Sequence, residues 1–301
     1  MTVKYCNAEC QRNNHWPKHK KECKIQAAKI RDEALFKDPP PKEDCPICFL
    51  PMPRKMICCV SLPDATRSSV PINDCVDAHE EWATKDTEEY HLCCGKSICK
   101  GCVYSCWKSG NGDKCPFCNS AYDDKTEEER VEEIMRRVEA SNPAAICMLA
   151  CYYQRGFGGL QQDHAKSSEL YARAADLGCI QAHCKLGDIY NDGGDLKKAK
   201  FHYEAAAMSG DENARSNLGN IEGNSGNMER AVKHFTIAAS FGHYHSMHQL
   251  TILFQHGAVS RESIDSTLTA YNNTCAEFRS EARDAYIREI ITDTILSTHN
   301  T

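Results

Sequence analysis

From residue 143 onward, apolar positions follow a helical period nested inside a longer repeat. Ala182-His-Cys-Lys-Leu186-Gly, Ala214-Arg-Ser-Asn-Leu218-Gly and Ser246-Met-His-Gln-Leu250 recur every 32 residues, and Ala145-Ile-Cys-Met-Leu149-Ala fits the same template five residues out of phase. Each unit carries a second signature: Ala174-Ala175-Asp-Leu-Gly178, Ala206-Ala207-Met-Ser-Gly210 and Ala238-Ala239-Ser-Phe-Gly242. Two helical patterns per unit, at a period in the low thirties, predict an α-solenoid. Alanines let paired helices approach, and the closing glycine supplies the left-handed residue that ends the second helix. Tyr171, Tyr203 and Phe235, 32 apart, are expected to pack between helices as core rather than as a catalytic box. Upstream, Lys125 to Ala140 reads as a helix, with Thr126 and Glu129 suited to a capping box and Val131, Ile134, Met135 and Val138 on one face. Ile25 to Phe36 is a short helix-prone stretch, and Asp38-Pro-Pro-Pro41 a stiff spacer.

The front of the chain obeys a different logic. Fifteen of the 20 cysteines fall in the first 118 residues. Eight make one frame: Cys45-Pro-Ile-Cys48, Cys93-Cys94-Gly-Lys-Ser-Ile-Cys99-Lys-Gly-Cys102 and Cys115-Pro-Phe-Cys118. Cysteines two residues apart let one ion close a turn, because both sulfurs reach the same tetrahedral centre. The start, Met1-Thr-Val-Lys-Tyr-Cys6, has no apolar core of the length a secretory signal needs, and no apolar run reaches a membrane span. An intracellular chain, cytoplasmic or nuclear, is expected; reduced thiols then leave metal binding as the reason to cluster them. The five remaining cysteines (Cys147, Cys151, Cys179, Cys184, Cys275) read as small buried hydrophobes.

A net charge of -6 and a pI near 6.1 argue against general affinity for nucleic acid. Only the first 43 residues run basic, with ten Lys or Arg against six Asp or Glu, which reads as a solvated face. Gly156-Phe-Gly-Gly159 has the look of a phosphate loop but falls in an inter-helix turn, so no nucleotide site is expected.

The repeats resemble the Sel-one-like family, a tetratricopeptide variant, most fully at Leu186-Gly187-Asp-Ile-Tyr190, Lys198-Ala199 and Ala206 to Gly210. The resemblance implies protein binding on a concave face and no chemistry of its own. In the last unit Asn273-Thr-Cys275 stands where Ala-Ala and Gly belong, so that unit and a helix from about Ala276 to Ile291 are expected to cap the stack.

The cysteine frame resembles a RING finger in its all-cysteine form. Lys96 stands where the common form has histidine, and the adjacent Cys93 offers the missing thiolate. The RING cross-brace implies one zinc on Cys45, Cys48, Cys99 and Cys102 and a second on Cys93, Cys94, Cys115 and Cys118; His91 is a rival for one of the adjacent pair. Such closed, four-coordinate sites are structural. The resemblance further implies ubiquitin ligase activity, with Ile47, Trp107 and Pro116 meeting a ubiquitin-conjugating enzyme and the repeats holding a substrate or adaptor. Ile47 reads equally well as a core residue of the zinc loop. Asn119 follows the eighth cysteine, where active ligases usually carry Arg, which weakens that implication.

Cys6, Cys10, His19 and Cys23 resemble the second half of a MYND finger whose first four cysteines are absent. Both pairs are spaced i,i+4, so two short helices would present four ligands to a single ion; the alternative is a start of the coding region that falls inside the finger. Cys58, Cys59, Cys75 and His79 are too irregular to prefer over free thiols. The expected fold is mainly α: a zinc-stabilised module of a short β-hairpin and one helix, then a solenoid of about four repeats. Its domains are 1–37 (partial MYND-like), 38–43 (linker), 44–120 (RING-type), 125–142 (linker helix), 144–258 (repeats) and 259–301 (divergent unit and cap). Two functions follow: a ligase, or a non-catalytic scaffold in which both modules only bind proteins.

Overall fold

The computed structural model describes residues 16–41, 43–50, 88–91, 93–121, 126–277 and 280–286. Among the described residues the first element is α1 (Trp16–Leu35), followed by the antiparallel pair β1 (Glu88–His91) and β2 (Lys96–Cys99) and by α2 (Lys100–Cys106), which runs into a π-helical turn (Trp107–Asn111). Helix α3 (Glu127–Glu139) leads into the solenoid: α4 (Pro143–Arg155), α5 (His164–Asp176), α6 (Ile180–Asp192), α7 (Leu196–Met208), α8 (Glu212–Asn224), α9 (Met228–Ser240), α10 (Tyr244–Gln255) and α11 (Arg261–Glu277). No described helix is long and apolar enough to cross a membrane. The fold is thus the mainly helical tandem-repeat architecture that the 32-residue period predicts.

Polar side chains punctuate the solenoid. Asn142, Asp163, Asp195 and Asp211 each accept a backbone N–H three residues on, and His243 takes the same role from Ser246. Gly178, Gly210 and Gly242, with φ between 88° and 97°, end α5, α7 and α9 in the left-handed conformation their spacing predicts. Thr126 and Glu129 form the capping box of α3, which buries Val131 and Ile134 but leaves Met135 exposed, so the apolar face is narrower than expected.

The glycine of each Leu-Gly pair has a steric purpose. A Cβ on Gly187 would fall 2.5 Å from the Tyr203 ring, and one on Gly219 would fall 2.6 Å from the Phe235 ring. The aromatic of each second helix thus lies directly on the backbone of the first. Tyr171, Tyr203 and Phe235 are all buried, as their period requires.

Two boundaries differ from expectation. Helix α1 begins at Trp16 rather than near Ile25. The predicted run from Ala276 to Ile291 is interrupted at Ser280: α11 reaches Glu277, burying Cys275 with Tyr271, a helical turn occupies 281–286, and 287–291 lie outside the described residues. Ser280 starts that turn by accepting the Arg283 and Asp284 N–H groups, a cap that competes with helix continuation.

The end of α1 is drawn into the repeats. Leu35 is 1% exposed and joins Tyr203, Ala206, Ala207 and Leu218 in one core cluster. Phe36 lies 4.8 Å from the ring of His234, which is fully buried and whose two nitrogens find no hydrogen-bond partner among the described residues. Burial, then the charges of Arg215 and Arg230, push His234 down to about 3, with Glu222 opposing and Lys200 reinforcing.

Two predictions follow from this packing. Gly219→Ala is expected to cost about 1–3 kcal/mol through overpacking. Gly223→Ala in the same helix, where the new methyl meets only the Ala231 Cβ at 3.6 Å, is expected to gain up to about 1 kcal/mol in helix propensity. Urea unfolding followed by helical circular dichroism separates them. The neutral His234 is held at full stability above its unfolded value near 6.5, and that stability is lost as pH falls from there toward 3. Removing the titration with His234→Leu is therefore expected to shift the thermal midpoint upward relative to the unsubstituted chain at pH 5, by the equivalent of about 2 kcal/mol, and by less at pH 7.5.

Candidate metal centres

Two loops of the cysteine module are built alike. In each, the first cysteine's N–H donates to a carbonyl five residues on, Cys45 to Leu50 and Cys115 to Ser120, both at 2.8 Å. The N–H of the residue after the second cysteine returns to the first cysteine's carbonyl, Phe49 to Cys45 and Asn119 to Cys115, both at 2.9 Å. Phe49 and Asn119 accordingly adopt the left-handed conformation, with φ of 55° and 57°. This turn forces the two sulfurs of each Cys-Pro-x-Cys segment to the same side. It also gives Asn119 a backbone role, since asparagine tolerates positive φ well.

The hairpin and helix supply the other thiols. The register pairs Glu88 with Cys99 and His91 with Lys96, so the tight turn holding Cys93 and Cys94 faces one end and Cys99 the other. Helix α2 starts directly after Cys99 and carries Cys102 on its first turn. The buried Ile98 lies at the centre, with Cys45, Cys99, Cys102 and Cys115 around it.

The result is two interleaved quartets. Cys45, Cys48, Cys99 and Cys102 converge, as do Cys93, Cys94, Cys115 and Cys118, with all sulfurs of a quartet within 4.8 Å of one another. Sulfur pairs lie at 3.9 Å (Cys45–Cys102, Cys48–Cys99, Cys94–Cys115) and 3.4 Å (Cys93–Cys118). A tetrahedral zinc with Zn–S bonds of about 2.3 Å sets sulfurs about 3.8 Å apart. The donor set and its spacing therefore fit zinc, which takes four thiolates in tetrahedral structural sites. The chain is a zinc protein with the cysteines for two closed centres.

Electrostatics favour the ligand form at one thiol of each quartet. A hydrogen bond from Cys102, aided by Arg283 and opposed by burial, pulls Cys99 down to about 4. Ser120 does the same for Cys118, down to about 6. Four thiolates around Zn²⁺ carry a formal charge of about -2 by the charges of the ligands. Arg283, buried, approaches the first quartet with one nitrogen 3.5 Å from the Cys48 sulfur and 3.4 Å from the Leu50 carbonyl oxygen. Its backbone presses on Gly101, where an added Cβ would come within 2.7 Å. Nothing in the cysteine spacing signals this distant cation.

The ring of His91 joins neither quartet; its backbone oxygen accepts the Cys94 and Gly95 N–H groups, and burial lowers its pKa. Lys96 sets its ammonium 6.0 Å from the Phe117 ring centre. Of the three residues expected to meet a conjugating enzyme, Trp107 (58% exposed) and Pro116 share a cavity of about 320 Å³ with Val103, Tyr104 and Tyr286. Ile47 is half-buried against the Ile98 cluster instead. His19 and Cys23 fall on α1, one turn apart, but their side chains lie outside the described residues, as do Cys6, Cys10, Cys58, Cys59, Cys75 and His79. Of the scattered cysteines, Cys147, Cys179 and Cys275 are buried; Cys184 and Cys151 are half-buried, and Cys151 has its sulfur 3.0 Å from the Tyr171 hydroxyl.

Residues 1–23 match the MYND finger family, and residues 143–179, 180–211 and 214–243 match the Sel1 repeat. No curated protein matches the chain as a relative. Among solved structures, a Sel1 repeat protein from Oxalobacter formigenes is similar at 20% identity and a TM-score of 0.45, over 60% of this chain and 74% of that one. The protective antigen c5321 of uropathogenic Escherichia coli, which displays an SLR fold, is similar at 19% identity and 0.41, over 64% and 44%. Immunity protein Pa5087 from Pseudomonas aeruginosa is similar at 17% and 0.38, over 66% and 81%.

Native mass spectrometry is expected to show Cys99→Ser and Cys115→Ser each removing one zinc from a different centre, with the double variant losing two. A structural zinc contributes about 10 kcal/mol or more to such a module, so chelation is expected to release its tryptic sites while leaving the repeat helices folded.

Proposed function

We propose that this chain is an interaction scaffold in which a cross-braced zinc module of the RING type and a Sel1 solenoid each present a protein-binding face. The observation that supports it most is the joining of two rigid platforms, one held by thiol quartets and one by tandem helix pairs, whose closed metal sites leave no coordination position for an activated water. The alternation of small and aromatic residues in the repeats serves packing, which leaves their surfaces for recognition.

A ligase reading, in which the module recruits a conjugating enzyme while the repeats hold a substrate, draws support from one observation: Trp107 and Pro116 line the same cavity. Against it stand Ile47, turned toward the core, and Tyr286, which shares that cavity. Asn119 also lacks the cation that biases a thioester toward attack. The scaffold reading is therefore preferred.

A reconstituted assay with ubiquitin, activating enzyme and a broad panel of conjugating enzymes tests the choice. Wild type, Trp107→Ala and Pro116→Ala are expected to be equally silent. Chains built by wild type and lost in Trp107→Ala would establish the ligase instead.

A further inference from the structure

Residues 31–36 dock on the solenoid through a small set of directed contacts rather than through a broad apolar face. Residues 25–31 of α1 are exposed, Ile25 and Ile30 among them, and Leu35 at its last turn is the buried one among the described residues of this helix. There Arg215, buried on α8, donates to the Leu35 carbonyl at 2.8 Å and to the Ala207 carbonyl at 2.9 Å. Both are among the last carbonyls of a helix and carry the negative end of its dipole; that of Ala207 also accepts the Gly210 N–H at 3.2 Å. Arg215 thus ties the C-terminal end of α1 to that of α7.

The neighbouring contacts read side chains. Arg230 pairs with Asp32 at 2.7 Å and is braced by Glu222 at 3.5 Å. Glu222 is held in turn by Lys200 at 2.9 Å and Asn227 at 2.8 Å. Arg31 pairs with Glu204. The Phe36 ring enters a slot made by His234, with the Arg230 guanidinium 5.1 Å and the Lys233 ammonium 5.8 Å from its centre. Leu35 fills the apolar pocket beneath. Beyond the helix, Pro39 and Pro40 pass over Gly210.

A helix-end carbonyl, a carboxylate three residues earlier, a leucine anchor and an adjacent aromatic form a compact code: Asp32-x-x-Leu35-Phe36. Buried charge is costly unless each group has a partner. Here a buried arginine and a braced glutamate are spent on a segment six residues long. That is the arrangement of a peptide site, with anchors in pockets and charged groups setting orientation.

We infer that the groove between α7, α8 and α9 is a recognition site for the C-terminal end of a helix that closes on Asp-x-x-Leu-Phe, filled in cis by the chain's own residues 31–36. A helical segment of another protein with the same chemistry enters once the internal one is displaced. This deepens the scaffold reading by naming what the repeats hold, and it is independent of the zinc module.

The test uses the full chain with Leu35→Asp and Phe36→Ala, which empties the groove, and a fluorescent peptide spanning residues 25–41. The emptied chain is expected to bind the peptide saturably, and wild type at least about tenfold more weakly, because a tethered ligand competes at high effective concentration. Peptides carrying Asp32→Lys or Leu35→Asp are expected to lose about tenfold or more against the emptied chain, with no change to the protein. Arg215→Ala in the emptied chain is expected to do the same. If the emptied chain keeps its helical circular dichroism but takes up no peptide, the segment is a fixed part of the fold and the inference falls. Equal binding by wild type and the emptied chain overturns it as well, by placing the peptide elsewhere. Either failure leaves the scaffold reading standing, since the ubiquitin assay judges it separately.

Discussion

The front of this molecule depends on eight sulfur atoms gathered into two quartets, each with the spacing of a tetrahedral zinc site. Among the described residues, the module they hold has one short hairpin, one helix of seven residues and a cluster in which Ile98 is joined mainly by the cysteines themselves. A cluster of that size offsets little of the chain entropy lost on folding. The mirrored turns at Cys45 and Cys115, each closed by the same two backbone hydrogen bonds, present the thiols, but turns of this kind need a metal to hold them in register. Arg283 fits that picture: it brings positive charge from the far end of the chain to a centre whose thiolates outnumber the charge of its ion.

The solenoid solves its own problem with shape rather than with metal. Gly187 and Gly219 let Tyr203 and Phe235 lie on bare backbone, so helix pairs interlock at short range. This leaves the outer surfaces free for charged groups, and the groove around Arg215, Glu222 and Arg230 uses that freedom. The two halves of the chain are bound to each other at both ends. The last turn of α1 enters the repeats, and the 281–286 turn returns to the zinc module.

Much of this was legible in the sequence because it is periodic. A 32-residue spacing of Leu-Gly, Ala-Ala and Gly names the helix pairs, their close approach and their ends. The spacing of the cysteines, with Lys96 where a histidine is common, points to the quartets the structure assembles. What escaped was set by contacts distant in sequence. Nothing local marks Arg283 as a neighbour of Cys48, or Leu35 as part of the repeat core. Asn119 has a second role with no signal in the cysteine spacing: besides lacking a cation, it occupies a left-handed turn position that Phe49 fills in the sister loop. The break at Ser280 has no signal in propensity, because it is set by Ser280 capping a new turn where helical propensity alone favours continuation.

The central claim is that sulfur alone surrounds the two ions, and zinc X-ray absorption fine structure tests it most directly. In a chain with Cys6 and Cys23 changed to Ser, the first shell is predicted to contain about four sulfurs per zinc near 2.3 Å. A shell dominated by nitrogen or oxygen near 2.0 Å would contradict it.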